Sequence, residues 1–428
     1  MSKIPKIVVI GGGAAGLELS TRLGNKLGKS LLAEITLIDP NLSYTWKPLW
    51  HEIAAGRIDV SKDKTEYLAQ GDEHNFKFKL GALAGIDRER KLIHIKTLDY
   101  ESEPLLIEEV LYYDILILAV GSIHNDFDTK GVSEFCLSFD TLDECDAFHK
   151  SLIINLFKLF QTDKKEINIS IIGGGSTGVE LAFEINNTLT KLLNYNSISN
   201  NNISINLNII ESAPGILNGF SEELVNKITN QLKAANIKIH SGKKVIKIDQ
   251  KTIYTESGMQ IKSDIKLWAA GIKAPEILTT LGLETNKKNQ LMLKDTLQLS
   301  TDEHIFALGD CATFSDKNKS LPPTAQLAQQ QAKFLAKSLT KYIKLGRPLD
   351  KFLFKKQGTI ISTSKNSAVG ELETSVAGKI NLNKRFAYFS YRFLYRKFQA
   401  SLYGWKKVIF LIIADFFTRR TKPSIKLH

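Results

Sequence analysis

Two stretches of this chain follow one pattern, and that repetition constrains the fold more than any other feature. Residues 6–20, KIVVIGGGAAGLELS, read as a buried strand, a glycine turn and the start of a helix. Residues 169–182, ISIIGGGSTGVELA, repeat the strand, the glycines and the glutamate after them. The spacing is G-x-G-x-x-G both times: Gly11, Gly13 and Gly16, then Gly173, Gly175 and Gly178. The first glycine of such a set makes the tight turn. The second lets backbone approach a pyrophosphate, and the third lets helix pack on strand. Phosphates then rest on free N–H groups at a helix N-terminus. The repeat therefore predicts an α/β chain with two Rossmann-like dinucleotide-binding domains.

Each fingerprint has a carboxylate in reserve. The strand Ile35 to Ile38 ends in Asp39, at the distance where an acid accepts ribose hydroxyls. The strand Ile205 to Ile210 ends in Glu211, further from its glycines than the usual spacing of about twenty residues. The Asn- and Ser-rich residues 186–203, read as a surface insertion, account for the excess. A carboxylate at Glu211 repels a 2′-phosphate, and ESAPG offers no arginine to accept one. The second site is thus expected to take NADH rather than NADPH.

Between and after the fingerprints, other segments take shape. Residues 43–60 form a loop and short helix broken at Pro48, with aromatic residues around Lys47. Phe76 to Leu83 and Leu92 to Ile95 read as strands of a small antiparallel layer. Tyr113 to Val120 is a buried strand running into Gly121, and Ile265 to Gly271 another strand running into glycine. Leu142 to Phe160 is helical. Ile305 to Asp310 is a short strand ending in Gly-Asp, and Pro322-Pro323 precede a helix from Thr324 to Leu339. Trp268 is expected in the core. The scattered Cys136, Cys145 and Cys311 form no C-x-x-C pair, fit a reducing compartment and read as packing residues. No metal site is expected. Nothing at the N-terminus resembles a signal peptide, because the first strand begins at once.

The net charge of +12 is local. Residues 379–428 hold 12 Lys/Arg and one acid, Asp415, a net of +11, so the rest of the chain is nearly neutral. That distribution argues against a general nucleic-acid surface. No run reaches eighteen apolar residues, so no membrane span is expected. Around 385–420, Arg385, Arg392 and Arg396 fall on one helical stripe amid Phe386, Phe389, Phe393, Leu394 and Phe398. Tyr388, Tyr391 and Tyr395 suit a headgroup boundary, and Gly404 allows a bend. The apolar run Val408 to Ile413 lies between Lys406-Lys407 and Arg419-Arg420. The tail reads as interfacial helices lying on an anionic lipid surface.

Taken in order, GGGAAGLE, WKPLWHEIAAG, GGGSTGVELA, WAAGIKAP, FALGDCA, PPTAQLAQQ and the basic aromatic tail ending in IKLH resemble the two-dinucleotide-binding-domain flavoproteins. Among these the chain most resembles the bacterial type II NADH dehydrogenases, single-subunit NADH:quinone oxidoreductases, over its full length. The resemblance implies a FAD-binding domain in two parts (1–122 and 273–345), an NADH-binding domain (123–272) and a C-terminal membrane-anchoring region (346–428). It implies non-covalent FAD on Gly11, Gly13, Ala15, Gly16, Asp39 and Asp310, with Lys47 near the flavin, Leu83 near the adenine and Gln326 beside the cofactor. NADH, the substrate, would lie on Gly173, Gly175, Gly178, Glu211 and Gly271. Gln330 and Gln331 match positions that meet the quinone head group, with Pro48 and Leu49 as another wall; Gln329 stands where relatives often carry His. Glu180, whose plain reading is a carboxylate in the first turn of a helix, would relay protons. Hydride would pass to the flavin and two electrons on to a membrane quinone, ubiquinone, without proton pumping. The expected location is the cytoplasmic face of the bacterial inner membrane, and a homodimer stays open.

Two other readings compete. A flavin-dependent NADH reductase of a soluble acceptor such as ferredoxin would have no use for the basic aromatic tail. A non-catalytic NADH-sensing or nucleic-acid-binding flavoprotein would tolerate the clustered charge, but the tail is too aromatic for a solvated basic arm, and no nucleic-acid partner is expected.

Overall fold

The computed structural model describes residues 4–56, 64–96, 108–161, 166–194, 204–314, 322–364, 367–374 and 378–418. Expectations placed on Arg419-Arg420, on IKLH and on residues 195–203 of the insertion lie outside those residues. The chain divides into two compact units: residues 1–46, 61–123 and 272–355, and residues 47–60, 124–271 and 356–428.

The first unit is built on an eight-stranded sheet whose centre is parallel. Lys6–Ile10 lies between Glu34–Asp39 and Ile115–Leu118, with Lys77–Leu80 beyond one neighbour and Asp302–Ala307 beyond the other. Val8 pairs with Thr36 on one side and Leu116 on the other. The three central strands are near-continuous apolar runs because a parallel sheet is covered on both faces. The helix Ala14–Leu23 follows the first strand and packs against Ala325–Leu345. The Phe76 to Leu83 run does not stay in one layer. It divides at Gly81 (φ +157°): Lys77–Leu80 joins the main parallel sheet, and Ala82–Asp87 pairs antiparallel with Leu92–Lys96. A side chain at Gly81 would press on Ile95 at 2.6 Å, which is why the chain can turn there only on glycine.

The second unit carries its own four-stranded parallel sheet, Lys238–His240, Ser204–Ile210, Glu166–Ile172 and Ile265–Trp268. Ile169, Ile171, Ile209 and Leu267 are fully buried in its core with Phe148 and Leu152 of the helix Leu142–Gln161. The short helix Trp50–Ala54 packs here too: the Thr188 hydroxyl donates to Ala55 O at 2.8 Å. The helix Ser176–Leu193 runs well into the stretch read as insertion, since NTLTKLL continues its apolar face through buried Thr188, Leu189 and Leu192.

The helix after Pro323 runs longer than expected, and the tail helix bends where expected. Ala325–Leu345 is capped by the Thr324 hydroxyl, which accepts the Leu327 N–H, and continues past Leu339 to Gly346, left-handed at φ +62°. SLTKYIKL has no breaker, so the glycine sets the stop. The tail helix Lys384–Thr418 is interrupted at Gly404 (φ 78°, ψ 158°). Arg396 and Asp415, about 28 Å apart in a straight helix, form an ion pair, so the two halves fold back on each other. Phe393 and Trp405 stack with ring centroids 6.0 Å apart. Among the described residues no helix is long and apolar enough to cross a membrane.

Candidate active site

The glycine loops of the two units are near copies. Gly11 (φ +100°) and Gly173 (φ +115°) turn so tightly that a Cβ would lie 2.4 Å from Ala119 O and 2.3 Å from Ala269 O. A Cβ on Gly16 or Gly178 would strike the carbonyl of the first glycine of its own set, at 1.8 and 2.0 Å. At Gly13 and Gly175 nothing lies within 4 Å. Both are helix N-caps without a side-chain cap, and neither helix has an acid in its first turn. Free N–H groups and a positive helix end thus face open space twice over, which suits pyrophosphate. Ala15, inside the first loop, is buried.

The acids meet these loops directly. Asp39 Oδ2 accepts the Gly12 N–H at 2.6 Å, and Glu211 Oε2 accepts the Gly174 N–H at 2.6 Å. Their other oxygens accept the Asn41 and Ala213 N–H groups. Burial raises the Asp39 carboxyl, while the Gly12 and Asn41 N–H groups oppose that shift. Tyr67, which spacing did not single out, donates its hydroxyl to Gly12 O at 3.0 Å and closes the loop from the far side.

Gly309 (φ +72°) and Asp310 form the Gly-Asp turn. Asp310 Oδ2 accepts the Ser122 hydroxyl, and its carbonyl accepts Gln290 Nε2, both at 2.9 Å. Ser122 follows the strand-then-glycine run, a signal within reach of sequence; Gln290 carried none. Leu83 is buried in the first unit, and Gln326 is half-buried near the start of its helix. In the second unit, Lys47 lies over the Trp50 ring at 5.2 Å, and Pro48 O accepts the Tyr391 hydroxyl at 3.1 Å. Gly271 (φ +136°) gives its carbonyl to the Asn125 N–H, and Trp268, buried, donates to Asn125 O.

Three expected site residues have surroundings that sequence did not foretell. Glu180 lies beyond the first turn of Ser176–Leu193, so the helix dipole does not explain it. Its Oε1 accepts the Ser362 N–H at 2.9 Å; burial, aided by Glu184 and Glu52, pushes its carboxyl up to about 8. Gln330 has both ends of its amide on Lys355 backbone, donating to its carbonyl at 2.8 Å and accepting its N–H at 3.0 Å. Gln331 is fully buried and accepts the Gly309 N–H at 2.7 Å, which joins it to the Gly-Asp turn.

The tail corrects its own forecast. Arg396 is 9% exposed and turned onto Gln399 and Asp415, and Tyr395 and Phe398 are buried. Arg396 closes the hairpin with Arg392, which lies 3.9 Å from Asp415; the Arg385 side chain falls outside the described residues. The exposed groups include the apolar Phe386, Phe389 and Phe393 on one half and Trp405, Phe410, Phe416 and Phe417 on the other, with Lys397, Lys406 and Lys407 exposed among them.

Two duplicated nucleotide cradles, one with a Gly-Asp turn in its own unit, define an oxidoreductase that uses a flavin and a nicotinamide. Residues 5–332 match the family model for pyridine nucleotide-disulphide oxidoreductases. Within that class the chain belongs to the type II NADH:quinone oxidoreductases: it is 37% identical to the enzyme of that name from Haemophilus influenzae over 443 residues, 99% of either chain. It is 27% identical to the one from Staphylococcus saprophyticus, over 85% of this chain and 89% of that one. The fold is that of a solved NDH2 of Plasmodium falciparum in complex with NADH, with a TM-score of 0.84, 21% identity, and coverage of 99% of this chain and all of that one.

Proposed function

We infer that the chain is a non-pumping NADH:quinone oxidoreductase that works through non-covalent FAD and acts on a membrane quinone, ubiquinone. When bound, FAD supplies the two-electron chemistry, taking a hydride from NADH and returning electrons to the quinone. The observation that carries this is the doubled cradle. The open space at Gly13 and at Gly175, each above an uncapped helix end, accepts two pyrophosphates on one chain.

The residues divide the work. In the first unit, Gly11, Gly13, Ala15, Gly16, Asp39 and Asp310 bind FAD, with Leu83 and Gln326 beside it. In the second, Gly173, Gly175, Gly178 and Gly271 bind NADH, and Glu211 excludes a 2′-phosphate by charge. Glu180, protonated at neutral pH, holds a proton for quinone reduction. The apolar hairpin from 384 to 418 rests on an anionic lipid surface on the cytoplasmic face of a bacterial inner membrane, where the quinone dissolves.

Purified protein in detergent should oxidise NADH with a short-chain ubiquinone and hold yellow, acid-extractable FAD. Faster turnover with ferredoxin than with ubiquinone, or no turnover with either, would overturn the reading.

A further inference from the structure

We propose that Gln331 is a positioning residue for the flavin nucleotide, fixing the Gly309–Asp310 turn from inside the fold. This rests on the FAD reading above. Gly309 sits at φ +72°, a conformation that glycine tolerates but does not enforce, so something else must hold the turn. Gln331 does so from the second turn of Ala325–Leu345, through the 2.7 Å bond from the Gly309 N–H to its Oε1. The turn borders the first glycine loop: a Cβ on Gly309 would lie 4.0 Å from that of Ala15 and 3.8 Å from that of Ala328. Ser122 and Gln290 hold the next residue, Asp310, by its carboxylate and its carbonyl. Asp310 is thus aimed by three residues from three parts of one unit, and Gln331 is the only buried one of the three.

The other end of the Gln331 amide shows that packing did not select it. The amide orientation is decided, because turning it would set NH2 against the Gly309 N–H. Nε2 is then buried with no hydrogen-bond partner. A buried donor without an acceptor is unfavourable. A methionine would fill similar space without that group, so packing alone favours the apolar side chain. What glutamine adds is the acceptor for Gly309, which a methionine would leave unpaired.

The test uses the full-length enzyme, with FAD affinity read by flavin fluorescence and quinone KM measured in excess FAD. Gln331→Met should weaken FAD binding about tenfold, the order of one hydrogen bond, with quinone KM unchanged. Gln331→Glu keeps an oxygen toward Gly309 but adds a carboxyl beside Asp310, so it should recover affinity as pH falls and the carboxyl is protonated. If Gln331→Met does not fold, Gln331→Asn, one methylene short of Gly309, carries the same expectation. FAD affinity within about twofold of the wild type in the glutamine-lacking variant, a raised quinone KM with intact FAD affinity, or failure of Gln331→Glu to recover affinity as pH falls would each overturn the assignment. Wild-type protein that binds no FAD would overturn the underlying function as well, whereas a wild type with FAD and quinone activity isolates the failure to Gln331.

Discussion

Glu211 Oε2 accepts the amide proton of Gly174 at 2.6 Å, so the acid proposed to choose the coenzyme also fixes the shape of the glycine loop. The same acid therefore does two things. It holds the middle of the glycine loop, as Asp39 does through Gly12 in the first unit, and under the proposed function its charge repels a 2′-phosphate.

Two substitutions separate these roles. Glu211→Gln keeps an oxygen for Gly174 and removes the charge, so the NADH-over-NADPH ratio of kcat/KM should fall about tenfold or more, mainly through a gain with NADPH. Glu211→Ala also leaves the Gly174 N–H without its acceptor and should lower the value for NADH itself. Equal steady-state preference in the wild type and in Glu211→Gln would show that the carboxylate does not discriminate.

Glu180 should give quinone reduction its pH dependence. Its carboxyl is raised from 4.5 to about 8, burial being the main cause, and the groups facing it are Glu52, Glu184 and Tyr391. Below pH 8 it carries a proton; above, it does not. Reoxidation of the NADH-treated enzyme by quinone should slow as pH rises through about 8, while bleaching of the yellow colour by NADH should not. Glu180→Gln should remove that inflection and slow reoxidation about tenfold or more. The sign for stability follows from linkage. A carboxyl whose folded value lies above its unfolded one makes the fold progressively less stable as pH climbs from about 4.5 to 8. Glu180→Gln should therefore gain on the wild type in thermal unfolding at pH 9 relative to pH 5, and a pH-independent difference would refute the raised carboxyl.

The elements legible in sequence were those written in local backbone rules. Gly11 and Gly173 turn at positive φ, and Gly16 and Gly178 face the carbonyl of the first glycine of their own set, so spacing alone revealed them. Asp39 and Glu211 followed from strand ends. Illegible were partners far apart in the chain. Ser362 meets Glu180, Gln290 meets Asp310 and Lys355 meets Gln330, and no periodicity connects such pairs. The helix of glutamines makes the point most clearly. Gln330 and Gln331 are adjacent and identical, yet one faces Lys355 and the other the Gly309 turn, because successive residues point about 100° apart on a helix.

Gln330 offers a separable test of quinone reduction. Its amide closes a two-bond ring with Lys355, which fixes the side chain. Gln330→Leu breaks both bonds and should lower turnover with ubiquinone severalfold while NADH still bleaches the enzyme at the wild-type rate. Because the contact is partly exposed, the stability loss should stay near 1 kcal/mol. Stopped-flow traces of the two half-reactions decide the matter: equal loss in both would remove Gln330 from the quinone step.

The tail prediction turns on Asp415. Arg396 and Asp415 hold the two halves of the hairpin together across Gly404, and that closure leaves Phe386, Phe389, Phe393, Trp405, Phe410, Phe416 and Phe417 exposed. So large an apolar surface calls for a cover, and a bilayer interface accepts one flanked by lysines such as Lys406 and Lys407. The ion pair acts on shape, not on lipid affinity directly. Breaking it leaves a nearly buried arginine without its counter-charge, held only by the neutral Gln399 amide and the Tyr395 ring, a costly change. Asp415→Asn should therefore weaken flotation with anionic liposomes even though it makes the tail more basic, the opposite of what charge alone would give. The exchanged pair Arg396→Asp with Asp415→Arg should recover part of the loss. Truncation before Lys384 should abolish flotation and leave NADH oxidation by water-soluble acceptors. Salt should loosen full-length binding without ending it, since each basic group adds on the order of 1 kcal/mol while the apolar insertion is unscreened. Stronger flotation of Asp415→Asn than of the wild type would mean that the tail binds by charge and that the hairpin clamp has no part in it.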